Sequence, residues 1–231
     1  MNDRMSNNKK WMERLRHELR KPEVALPLAL TLGFVLWGHE GRPWLLNYAP
    51  PMTPALTGMV SFGIGALVMV LVPALVLKRL GETLADYGLG WGERKQGVIF
   101  ATLASALSVP VMYFVSADSN MQAEYPLYAP GDSLVAYEAA YFLFFAAGEI
   151  AIRGYILFGV KRWSGSTGLA LSVSTIVQTV WHLDKPLAEM LVAPVWGLAV
   201  GALCLRLRSV WYALVFHYLS NVTLDLWVLA R

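Results

Sequence analysis

Apolar runs of about 20 residues recur along the chain, the length needed to cross a bilayer core about 30 Å thick. They leave few folding options. In lipid every backbone polar group needs an internal partner, so such runs become membrane-spanning helices. They fall at 23–38, 55–77, 97–117, 135–160, 167–183, 187–205 and 209–229, the fifth short for a full crossing. The chain is 56% hydrophobic and only 15% charged, where a soluble domain carries about a quarter charged residues. The expected fold is all-α: one polytopic bundle of about seven spans.

The segments between the runs alternate in charge, which orients the bundle. Arg4, Lys9, Lys10, Arg14, Arg16, Arg20 and Lys21 precede the first span. Lys78, Arg79, Arg94 and Lys95 follow the second, Lys161 and Arg162 the fourth, and Arg206 and Arg208 the sixth. The opposite loops hold only Arg42 and Lys185, and 118–134 has no Lys or Arg. By the positive-inside rule the N-terminus is cytoplasmic and the C-terminus external. Residues 1–22 read as a basic helix on the membrane surface, with Trp11, Leu15 and Leu19 at a four-residue step. No cleavable signal peptide is expected. Topology accounts for the basic residues, and no nucleic-acid motif or phosphate loop is present, so the expected partner is the lipid bilayer and not nucleic acid. The lone Cys204 reads as a packing residue.

Three spans carry polar pairs at i and i+4, and therefore on one helix face. They are Glu149 with Arg153, Gln178 with His182, and His217 with Asn221, whose stripe Asp225 continues. A charged residue inside a membrane costs at least about 2.5 kcal/mol, faces the bundle interior and marks function. Three pairs at comparable depth point to one shared site. A carboxylate with an imidazole can deprotonate water, and a histidine with an amide can donate to an oxyanion. Together they suffice to hydrolyse an amide. Two histidines and a glutamate could also hold zinc, but no HExxH helix is present and the spacing does not indicate a metal. No cofactor is expected.

The same residues carry a family resemblance. The chain resembles the CAAX-processing and bacteriocin-processing intramembrane proteases (CPBP or Abi), which include the Ras-converting CAAX endopeptidase. Their pattern is EExxxR, then FxxxH, then HxxxN. Here it reads "GEIAIRG" (148–154), "QTVWH" (178–182) and "HYLSN" (217–221). The resemblance covers about residues 135–228. It implies a catalytic core at 135–231 behind transmembrane helices at 23–134. It also implies a multi-pass endopeptidase of the cell (inner) membrane that cleaves a peptide bond in a membrane-associated protein. Glu149 and His182 would then act on the attacking water, and His217 and Asn221 on the oxyanion, with Arg153, Gln178 and Asp225 in support. Two positions depart from the pattern. Gly148 replaces the first glutamate and Gln178 replaces the phenylalanine.

The departure at Gly148 keeps a second role open for Glu149, as ion-pair partner of Arg153. Glu138, three turns earlier, is a further acid expected near the outer surface. Asp184 and Lys185 read as an external junction, and Glu189 as a helix cap or cavity lining, the cap favoured. The rivals are an inactive relative that binds membrane peptides, as in bacteriocin self-immunity, and a proton-coupled transporter built on the same buried charges.

Overall fold

In this computed structural model the described residues are 52–127, 129–131 and 133–231, with Glu13, His17, Lys21, 24–26, 29, 30 and Gly33. The expected surface helix and first span lie outside them apart from those few positions. Every regular element among the described residues is helical. They are α1 (Ala55–Arg79), a 3-10 turn (Leu84–Tyr87), α2 (Arg94–Val115) and the short α3 (Ser119–Glu124). There follow α4 (Leu134–Ser164), α5 (Thr167–Trp181), α6 (Leu187–Leu207) and α7 (Trp211–Leu229).

Four of these, α1, α2, α4 and α6, are long and apolar enough to cross a membrane. With them the chain is a multi-pass membrane protein. The other two expected spans differ. α5 has 15 residues and stops at Trp181, so His182 is its C-cap rather than part of the helix. α7 has 19 residues, and its stripe of His217, Asn221 and Asp225 dilutes its apolar character. α2 starts three residues earlier than the sequence suggested, and α3 lies within the 118–134 segment that links α2 to α4.

Local chemistry sets the helix ends. The Thr53 hydroxyl accepts from Leu56 N ahead of Pro54, Ser133 accepts from Ala136 N, and Ser166 from Leu169 N. Each satisfies an amide that the first turn leaves without a partner. α4 ends at Gly165, whose φ of 69° suits a residue without Cβ.

Two helices widen into π segments. In α1 this happens at Leu67–Leu71, just ahead of Pro73, which has no N–H to give back. There the Val70 carbonyl accepts from the Tyr155 hydroxyl at 3.0 Å. In α4 the π segment is Ile150–Ile156, buried throughout. α4 is the central helix: 78% of its apolar window is buried, against 11% for α2. It packs on α1, while α2 lies along α7 and α5 along α6. Small residues permit the close approaches, as membrane helices require. Gly97 of α2 sits against the Tyr212 ring, and Gly197 of α6 sits against Thr175 of α5.

The loops gather at two ends. At one, Arg162 bridges Glu82 and Asp86, Glu93 N donates to Leu207 O, and Val210 N donates to Gly88 O. At the other, Lys185 pairs with Glu124, Tyr125 binds Glu189, and Arg231 donates to Ser116.

Candidate active site

α4, α5, α6 and α7 converge on a cleft that holds Glu149, Gln178, His182, His217 and Asn221. The three motifs, read as separate stripes in the sequence, thus meet in one place. Tyr141, Phe144, Phe145, Ile152 and Trp181 supply apolar walls. Gly148 also lines the cleft and presents no side chain there.

Glu149 stands where α4 passes into its π segment and is 2% exposed. One oxygen, Oε1, is 2.7 Å from His217 Nδ1, and the other, Oε2, is 3.2 Å from Arg153 Nε. The Arg153 N–H does not point at that oxygen, so the contact is an ion pair without a linear hydrogen bond. Arg153, 1% exposed, donates from Nη1 to Gln178 Oε1 at 3.0 Å. That contact turns the Gln178 amide nitrogen toward the His182 ring, 3.4 Å away. The polar residue that replaces the family's phenylalanine therefore joins Arg153 to His182.

The two histidines are held differently. His217 directs Nδ1 to the Glu149 carboxylate and lies between the rings of Phe145 and Trp196, at 4.8 and 5.2 Å. His182 places Nδ1 2.7 Å from the backbone oxygen of Gln178. Because a carbonyl only accepts, Nδ1 carries the proton and the neutral ring keeps a lone pair on Nε2. Asn221 Nδ2 donates to His217 O at 3.1 Å, which leaves its second amide hydrogen and Oδ1 unused by that bond.

Glu189 is the residue the sequence reading undervalued. α6 has no side-chain N-cap bond, so the favoured cap role is not observed. The chain reverses over 182–186, and this brings the first turn of α6 back over the end of α5. Glu189 Oε1 then lies 3.6 Å from His182 Nε2, and both carboxylate oxygens are 2.9 Å from the Tyr125 hydroxyl. The Tyr125 phenol is pushed well above its usual range by burial, with the Glu189 carboxylate adding to the shift, so it stays a donor. The only sequence signal was an acid seven residues past the motif histidine.

Asp225 does not reach the cleft. It is fully buried and hydrogen-bonds with the Glu138 carboxyl, and no other donor reaches the pair. Glu138 lies in the second turn of α4, near its start, and is buried in the bundle. Among the described residues no group of three or more His, Cys, Asp or Glu gathers closely enough to hold a metal ion. Cys204 is buried, as a packing residue would be.

Residues 130–223 match the family described as type II CAAX prenyl endopeptidase Rce1-like. No curated protein and no solved structure matches the chain. The matched stretch contains all three motifs, and with them Glu189.

Proposed function

We propose that this chain, whose residues 130–223 form an Rce1-like domain of the CAAX-type intramembrane proteases, hydrolyses a peptide bond of a membrane-associated protein by glutamate-assisted attack of water. The observation that carries the reading is the facing of His182 Nε2 and Glu189 Oε1 across 3.6 Å, in the cleft that Gly148 also lines. Both atoms accept hydrogen bonds, and Glu189 Oε1 keeps a lone pair beyond the one that takes the Tyr125 hydroxyl. A water can give one hydrogen to each.

In this mechanism Glu189 takes a proton as the water oxygen adds to the scissile carbonyl carbon. The oxyanion forms beside His217 and Asn221. With both ring nitrogens protonated, His217 donates Nδ1–H to Glu149 and Nε2–H to the oxyanion, and Asn221 adds its second amide hydrogen. The carbon–nitrogen bond then breaks as the oxyanion collapses to a carbonyl, and the proton held by Glu189 passes to the leaving amine. The products are a carboxylic acid and an amine. Glu149 is engaged by Arg153 and His217, so it acts as a positioning group rather than as the base, and Gln178 and Arg153 orient the rest. No step calls for a metal or cofactor. The substrate is a membrane protein or peptide, and the working place is the cell membrane.

The test compares protein termini in membranes from host cells expressing wild type or His182→Ala. New termini that appear only with wild type are expected. Equal profiles would remove the peptidase reading. Gly148 favours one alternative, an inactive fold that shields membrane peptides, and its signature is peptide binding without new termini.

A further inference from the structure

The mouth of the cleft lies at one end of the bundle. Tyr125, Leu127, Lys185 and Glu189 line its outer part. These come from the segment after α3, the turn between α5 and α6, and the start of α6. Deeper in, the cleft reaches Gln178, Glu149 and Ile152, and below them Arg153, Tyr155 and Ile156 are buried core that closes it. The two ends of the bundle differ in charge. The closed end carries Lys78, Arg79, Arg94, Lys95, Lys161, Arg162, Arg206 and Arg208. The mouth end carries Lys185 and Arg231 against Asp118, Glu124 and Asp184, and Lys185 is paired with Glu124.

Lys and Arg in short loops stay on the cytoplasmic side, so we infer that the cleft opens to the non-cytoplasmic face of the membrane. This deepens the peptidase reading, on which its consequence for the substrate rests. The bond cut lies in a segment that emerges from the outer leaflet, as in a secreted or membrane-anchored protein on that side. A lipid-bearing tail on the cytoplasmic side meets the closed end. The mouth also sits beside apolar Leu127, Tyr141 and Phe144, which suits a peptide still partly in lipid.

Cysteine labelling tests the orientation without any substrate. Cys204 is buried, so the natural chain gives a low background with a membrane-impermeant maleimide. Single cysteines are placed at Leu127 and Asp118 on the mouth end and at Arg94 and Arg206 on the closed end, in full-length protein in intact bacterial host cells. Leu127→Cys and Asp118→Cys should label in intact cells, and Arg94→Cys and Arg206→Cys only after permeabilisation, with at least tenfold contrast. The reverse pattern, or labelling of both ends from outside, overturns the inference. A C-terminal reporter at Arg231 gives a second reading should a cysteine variant fail to accumulate: activity outside the membrane supports the orientation, and activity in the cytoplasm overturns it. Neither readout depends on catalysis. A dead but outward-facing protein therefore refutes the peptidase reading alone, and an active inward-facing one refutes this inference alone.

Discussion

Replacing Glu149 separates its structural from its chemical work. In Glu149→Gln, Arg153 loses the only carboxylate shown beside it, at a position 1% exposed. Removing one member of a buried ion pair costs about 3–5 kcal/mol. Gln178 Oε1, at 3.0 Å, still accepts from Arg153, which puts the loss near the low end, about 3 kcal/mol. Adding Arg153→Met removes the stranded charge, and stability should return to within about 1 kcal/mol of wild type, because exchanging both members of a buried pair is close to neutral. Turnover should behave otherwise. His217 Nδ1, 2.7 Å from Glu149, keeps an acceptor in Gln but loses the charge that balances the protonated ring. Both variants should therefore lose about 10²-fold or more in kcat, the scale for an impaired oxyanion donor. Thermal unfolding in detergent gives the first quantity, and the rate at which the wild-type-dependent termini appear gives the second. A double variant that is stable and fully active would show that the Glu149 charge serves Arg153 alone.

Glu189→Gln should lower kcat by about 10²-fold or more, as removal of a general base does, with unfolding unchanged; wild-type turnover would return the base role to Glu149. Asn221→Ala should lower kcat by about 10²-fold, and a folded variant with normal kcat would remove it from the oxyanion site. Tyr155→Phe leaves the Val70 carbonyl without its hydroxyl donor, so unfolding should show a loss of about 1–3 kcal/mol while kcat holds; no loss would mean that the link between α1 and α4 contributes nothing. Asp225→Asn supplies an amide donor to the Glu138 carboxyl and should stabilise the protein by about 1 kcal/mol with turnover unchanged; a dead variant would bring Asp225 into the chemistry.

The helices and the meeting of the three polar pairs were legible because both follow from spacing. Apolar runs give spans, and i, i+4 pairs give shared faces. Spacing could not give the partners. Glu149 reads as paired with Arg153 by position, but its second contact, to His217, crosses 68 residues. Glu189 was obscured because a reversal of the chain, not a helical period, sets it beside His182. Asp225 misled for the opposite reason: it continues the His217–Asn221 stripe in four-residue steps, but each step turns about 40° further round the helix, and two steps past His217 it faces Glu138 of α4. The π segments leave no periodic mark in so uniformly apolar a sequence.

The polar stripe of α7 also constrains how the protein is made. A helix that carries His217, Asn221 and Asp225 enters lipid poorly alone, and it leaves the ribosome after every other described helix. Its most extensive neighbour is α2, synthesised about a hundred residues earlier, where Gly97 receives the Tyr212 ring. Its polar partners on α4 are also already in the membrane. The earlier helices thus form a template, and α7 enters against them rather than against lipid. Changes that disturb that seam, such as Gly97→Leu, would act during biogenesis, leaving α7 outside the bilayer and the chain exposed to quality-control proteolysis before the cleft had ever closed around a substrate.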